Sequence, residues 1–249
     1  MKKLLGPLRI PFELNRDIDH ENHYFEGFYQ KEEDYYINFL TSCKDPIVFD
    51  VGSNIGYFSC LFKSCGAKEV HCFEPIDDPF EKCQAKFKEI KLNWPNSIFL
   101  NKFALYNINS DEERIWVSRL HNQGSSMKKE IVQKFRRVFI NNDNELLEKV
   151  IPTQTLDNYA KEWNVKTIDL LKIDTEGTEF EILLGAEKMI KEKRIKNIIF
   201  ESYEKSPVPW RRIRTKTNKE MDFLIEHGYN IKALDTFHPM YHATLTINK

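Results

Sequence analysis

The sequence predicts an α/β protein, an open and largely parallel sheet with helices on both faces, and three observations predict it. Short apolar runs alternate with stretches of helical periodicity along most of the chain. The first run, 47–51, passes through a glycine-rich turn into a helical stretch, 57–64, and on to a second run, 70–74; together they make one βαβ unit. The runs are continuous rather than alternating, as strands buried between two layers of helices are.

Residues 1–45 are polar and aromatic and read as an N-terminal arm or lid packed on a core domain of residues 46–249. Within the arm, 32–39 has the pattern of a helix with Tyr35, Tyr36 and Phe39 on its buried side. In the core, 47–51 is a buried strand, 57–64 a helix stopped by Gly66, and 70–74 a strand closed by Pro75. A helix at 78–91, a strand at 97–105 and a strand at 113–117 follow. The charge-rich stretch 128–149 reads as helical or irregular, and 156–163 as a short helix. The run 168–174 is the strongest strand signal. After it come a helix at 179–191, a strand at 197–201, a helix at 218–227 ended by Gly228, and closing strands at 231–234 and 243–247. In such sheets ligands bind outside the carboxyl ends of the strands, so the chemistry is sought there.

Composition narrows the function. The 249 residues are 41% apolar, enough for one substantial core. A formal net charge of -1 argues against a protein built for bulk nucleic-acid binding, which shows a strong basic excess. Cys43, Cys60, Cys65, Cys72 and Cys83 form no C-x-x-C pair and read as small buried hydrophobes in a reducing cytoplasm. No run approaches the ~20 apolar residues of a membrane span. The expectation is a soluble cytoplasmic protein; nothing in the pattern sets its oligomeric state.

The turn after the first strand reads Asp50-Val51-Gly52-Ser53-Asn54-Ile55-Gly56. Its glycines allow a tight turn and close approach to a ligand. It departs from the dinucleotide pattern, because Asn54 stands where the middle glycine would let a pyrophosphate in. An acid two residues ahead of the first glycine suits a ligand ammonium better than a phosphate. S-adenosylmethionine carries such an ammonium. Glu74, eighteen residues past Gly56, stands where an acid accepts ribose hydroxyls, and Pro75 stiffens the turn behind it.

These residues resemble the FkbM-type methyltransferases. The resemblance runs from Phe49–Tyr57 and Cys72-Phe73-Glu74-Pro75 through Gly124-Ser125-Ser126 and Thr155-Leu156-Asp157. It continues through Leu170-Leu171-Lys172-Ile173-Asp174-Thr175-Glu176-Gly177-Thr178-Glu179, then Phe200-Glu201 and His227-Gly228-Tyr229. It covers roughly residues 47 to 229, with Asp-x-Glu-Gly-x-Glu its most specific part. It implies a Rossmann-like fold, a seven-stranded sheet with an antiparallel last strand. S-adenosylmethionine is the implied cofactor and O-methylation of sugars or other small molecules the implied chemistry. Carried over by position, Asp50, Gly52, Asn54 and Gly56 would hold the methionine end and Glu74 the ribose, with Ser53 and Pro75 of the same turns also candidates for binding the cofactor. Ser53 stands where alanine is common, and 128–149 has no clear counterpart.

Candidate catalytic groups gather at the end of the strongest strand. Lys172 and Asp174 are two apart and project to one face. A lysine inside an apolar strand needs a partner, and Asp174, Asp50 or Glu201 could supply it. One reading is a buried ion pair that fixes strand order. The other has Asp174 as base for an acceptor hydroxyl, tuned by Lys172, with Glu201 beside them. Glu176, Ser125 and Ser126 are candidates for binding the acceptor, a small molecule or glycan. Asp174, Glu176 and Glu179 could hold a divalent cation through oxygens, although no metal is expected. The runs Arg211, Arg212, Arg214, Lys216 and the pairs His20/His23 and His238/His242 read as surface or core groups. Two rivals stay open: an RNA ribose methyltransferase and a non-catalytic S-adenosylmethionine-fold binding module.

Overall fold

The computed structural model describes residues 30–90, 97–118, 125–133, 146–202, 218–236 and 239–246. Helix α1 (Gln30–Thr41) precedes β1 (Ile47–Val51), α2 (Tyr57–Ser64), β2 (Glu69–Phe73), α3 (Asp77–Ile90) and β3 (Ile98–Asn101). Then come β4 (Ala104–Leu105), β5 (Ser110–Ser118), β6 (Leu146–Gln154), a helix α4 (Leu156–Glu162) and β7 (Leu170–Ile173). Helices α5 (Glu179–Gly185) and α6 (Glu187–Lys191), strand β8 (Asn197–Glu201), helix α7 (Lys219–Glu226), β9 (Tyr229–Ala233) and β10 (Met240–Leu245) complete the order. His20, His23, Gly124, His238 and the basic run at 211–216 lie outside the described residues, as do 1–29 of the arm and 134–145 of the charge-rich stretch.

Seven strands form one sheet in the order β3-β2-β1-β7-β8-β10-β9. The pairings are parallel from β3 to β8, and β10, last in sequence, runs antiparallel to both β8 and β9. The chain winds outward from β1 to β3, then restarts at β7 on the other side of β1. The switch point is therefore the crevice between β1 and β7, where ligands of such sheets sit.

Strand alternation splits the core in two. Phe49, Val51, Leu171 and Ile173 point to one face and pack with Leu156, Tyr159, Ile182 and Leu224. Val48 and Leu170 point to the other and pack with Tyr36, Leu40, Leu61 and Phe62, so α1 belongs to that core. The inward face of α1 is Glu32, Tyr36 and Leu40, one residue per turn. Tyr35 and Phe39, expected inside, are half-buried against the His242 ring.

Three expected elements divide or change type. The strand expected at 97–105 ends at Asn101, whose side-chain amide donates to the Cys72 and Phe99 carbonyls and closes the ladder. The chain then leaves the main sheet, and Ala104–Leu105 pairs in a second sheet of order β4-β6-β5. The end of the stretch expected to be helical or irregular is the central strand β6. Leu147, Lys149, Ile151 and Thr153 turn inward there while Glu148, Val150 and Pro152 stay exposed, a period of two masked in sequence by charge and proline. A β-bulge at Ser110/Glu113 lies across from Pro152, which has no N–H to give. The helix expected at 179–191 breaks at Ala186. Gly185 packs so closely on the Tyr106 carbonyl that an added Cβ would lie 2.0 Å from its oxygen.

Candidate active site

The glycine turn leads from β1 to α2. The backbone N–H groups of Gly52 and Ser53 both donate to the Phe73 carbonyl at 3.1 Å, tying the turn to the end of β2. Gly52 has φ 77°, and a Cβ there would sit 2.0 Å from the Asp174 carbonyl oxygen. The turn and the end of β7 thus touch backbone to backbone, which only glycine permits. Asn54 is also left-handed, with φ 49°. Its N–H donates to Glu74 Oε2 at 3.0 Å, while Ile76 N–H donates to Oε1 at 2.9 Å. Burial pushes the Glu74 carboxyl up to about 7, against the pull of these two N–H groups. Ser53 Oγ and Asn54 Oδ1 are buried and have no hydrogen-bond partner among the described residues. Unpaired buried polar atoms are costly, and a polar ligand on the turn would satisfy both.

Asp50 and Lys172 are direct neighbours in the β1–β7 register and point to the α1–α2 side. Lys172 Nζ lies 3.2 Å from Asp50 Oδ1 and 3.4 Å from Asp174 Oδ2. The other Asp50 oxygen accepts from Ser59 Oγ at 2.6 Å. The Asp50 side chain is fully enclosed, so its charge is spent on Lys172. The Phe58 ring covers the ammonium at 5.1 Å. Burial alone would lower the Lys172 pKa; Asp50, Asp174 and Glu32 around it reverse that and raise it. Lys172 therefore stays charged, and Asp174, with its side chain 31% exposed, is the member of the pair that reaches the surface.

Asp174 opens a second cluster. One carboxylate oxygen each from Asp174, Glu176 and Glu201 lies within 4.8 Å of the other two. Oxygen donors so grouped are of the kind a hard divalent cation takes. Glu179, the third acid of the expected set, is turned away. Its Oε1 accepts from the N–H groups of Thr175 and Gly177 at 3.1 Å and from Thr175 Oγ1 at 3.2 Å. Burial raises it to about 7. Glu179 thus organises the loop from inside, and this loop holds Glu176 left-handed at φ 57°. Segment 125–133 straps the same loop. Ser126 Oγ donates to the Glu176 carbonyl at 2.8 Å, and Lys128 Nζ to the Gly177 carbonyl at 2.5 Å and to Glu181 at 3.0 Å.

A family model for the methyltransferase FkbM domain matches residues 50–231. The chain belongs to the FkbM methyltransferase family. The crystal structure of methyltransferase FkbM from Methylobacillus flagellatus KT is 13% identical, covers 81% of this chain and 43% of that one, and superposes with a TM-score of 0.52. Magnesium protoporphyrin IX methyltransferase from Synechocystis PCC 6803, solved with bound SAM, is 12% identical over 93% of this chain and 92% of that one, with a TM-score of 0.48. Among curated proteins, AMB antimetabolite synthetase AmbE of Pseudomonas aeruginosa is 24% identical over 214 residues, 75% of this chain. The chain spans a tenth of that synthetase and less than half of the FkbM structure. At this identity the FkbM structure shares the fold, which is Rossmann-like.

In this FkbM domain the fold brings together Asp50, Lys172, Asp174, Glu176 and Glu201, and sets Gly52, Ser53, Asn54, Gly56, Glu74 and Pro75 around the neighbouring turn. Ser126 is buried and its hydroxyl is committed to the Glu176 carbonyl; Ser125 stands beside it. Sequence reasoning missed Ser59 and Glu32. Ser59, nine residues past Asp50 in the first turn of α2, is within reach of a spacing argument. Glu32 has no such tie, since only the packing of α1 on α2 brings it in.

Proposed function

We propose that the protein is an S-adenosylmethionine-dependent O-methyltransferase acting on a hydroxyl of a sugar-like or other small acceptor. The observation that carries the reading is the partly exposed Asp174 carboxylate, held by a buried charged lysine one strand from a turn with two unpaired buried oxygens. The residues fit the cofactor. Ser53 Oγ and Asn54 Oδ1 offer acceptors to a polar ligand, Glu74 keeps lone pairs for ribose hydroxyls, and the carboxylates around Asp174 favour a cation. Bound there, S-adenosylmethionine supplies the methyl group on a positive sulfonium.

This chain's residues then handle the proton. Asp174 would accept it from the acceptor hydroxyl, general-base help worth typically ~10²–10⁴-fold. Lys172 holds the Asp174 carboxylate in place while Asp50, turned inward, balances the lysine charge. Glu176 orients acceptor hydroxyls, the buried Glu201 stands beside Asp174, and Ser126 steadies Glu176 through its carbonyl. No helix among the described residues is long and apolar enough to cross a membrane, and all five cysteines are unpaired, which accords with a cytoplasmic enzyme.

The test is calorimetric titration with S-adenosylhomocysteine, followed by methyl transfer to a panel of hydroxylated acceptors with and without chelator. Saturable binding, with turnover abolished by Asp174→Asn at intact affinity, is the expected result. A folded wild type that binds no S-adenosylhomocysteine overturns the cofactor. Turnover lost on chelation would assign the three carboxylates to a cation.

A further inference from the structure

Asp50 is the acid that the turn offers to a ligand ammonium, yet its carboxylate is closed off between Lys172 and Ser59. A ligand ammonium at this end of the sheet therefore meets backbone carbonyls or another carboxyl. The inward face of α1 is apolar at Leu40, and changes to polar at Tyr36 and Glu32 as it nears the Lys172 end of the sheet. A helix that only packed on the core would continue apolar there, because a buried carboxyl is expensive to place. Glu32 is 4% exposed, and Asp174 and Lys172 are its strongest charged neighbours. The α1–α2 contact fixes its position. Tyr36 packs edge-on against Phe58 and Phe62, and Tyr57 donates to Glu33 at 2.5 Å.

We propose that Glu32, presented by α1 beside Asp174, is the carboxyl that receives the α-ammonium of the bound cofactor. The assignment rests on the S-adenosylmethionine reading above and extends it to a helix outside the family match, which begins at residue 50. Burial and the Asp174 charge raise the Glu32 carboxyl, while the Lys172 charge pulls the other way. An arriving ammonium would add to the counter-charge that Lys172 already gives.

The full chain is titrated with S-adenosylhomocysteine and with 5′-methylthioadenosine, which keeps the nucleoside and sulfur but lacks both amino-acid groups. Glu32→Gln should weaken S-adenosylhomocysteine about 10- to 100-fold, the loss of one charge-assisted contact, and leave methylthioadenosine within about twofold. Asp34→Asn, two residues along and bonded to Gln30 on its own helix, should change neither. Equal weakening of both ligands, or of neither, overturns the assignment while the cofactor reading stands. A wild type that binds neither ligand removes both. Should Glu32→Gln fail to fold, the wild-type crystal structure with S-adenosylhomocysteine decides. Glu32 within hydrogen-bond distance of the ligand ammonium supports the proposal, and an ammonium held elsewhere ends it.

Discussion

Lys172 carries a charge with almost no access to water, and the two aspartates beside it set what substitution there does. Asp50→Ala takes from that ammonium its fully enclosed partner and should cost about 3–5 kcal/mol, as for one partner taken from a buried pair. Replacing both, as Asp50→Leu with Lys172→Met, should cost clearly less than the two single changes added. Urea unfolding of the four proteins measures this, and strict additivity would mean the two groups do not interact. Glu179 acts differently, since its oxygen gathers two backbone N–H groups and a hydroxyl of its own loop. Glu179→Ala should destabilise by about 1–3 kcal/mol through those unpaired donors, read by thermal melting.

Glycines test the elements, because three of them differ in what surrounds a new methyl group. Gly66 has φ 96° and nothing within 4 Å, so Gly66→Ala should cost the left-handed strain alone, about 1–2 kcal/mol. Gly52→Ala adds a Cβ 2.0 Å from the Asp174 carbonyl oxygen and should cost well beyond that, with loss of S-adenosylhomocysteine binding. Gly185→Ala meets the Tyr106 carbonyl at 2.0 Å in the last residue of a helix and should destabilise although helix propensity alone favours alanine. Elements with one clear period were legible in the sequence: α2 and β8 fall at the expected bounds because their apolar runs end at turn residues. Strand β6 was not, since its inward positions include Lys149 and Thr153 and its outward ones Val150 and Pro152. The same limit holds in the site. Asp50 and Lys172 stand in strands and Asp174 directly past the second, and Lys172 pairs with both of these acids, two of the three that the sequence offered it. The turning of Glu179 into its loop, and of Asp50 onto Ser59, depends on side-chain directions that spacing does not carry.

For the molecule as a whole, buried titratable groups set the pH profile. Glu32, Glu74 and Glu179 are raised from 4.5 to about 8, 7 and 7. Each favours the fold fully below 4.5, and that contribution is lost as pH rises through the folded value, because the unfolded chain ionises first. His71 and His242 are lowered by burial from 6.5 to about 4, so their contribution is present above 6.5 and lost as pH falls toward 4. The two sets oppose each other below 6.5. Between 6.5 and 8 the glutamates act alone, and stability should fall with rising pH. Denaturant midpoints across that window check it, and Glu32→Gln should flatten the slope above pH 7. The ion pair at the switch point has a further consequence during synthesis. Asp50 and Lys172 are 122 residues apart in the chain. A ribosome adding about 5–20 residues per second takes roughly 6–24 seconds to cross that interval. Throughout it, β1 waits with one ladder edge open and its aspartate uncompensated. A nascent chain stalled before β7 should therefore be held by chaperones or digested by protease, and extension past Ile173 should be what protects it.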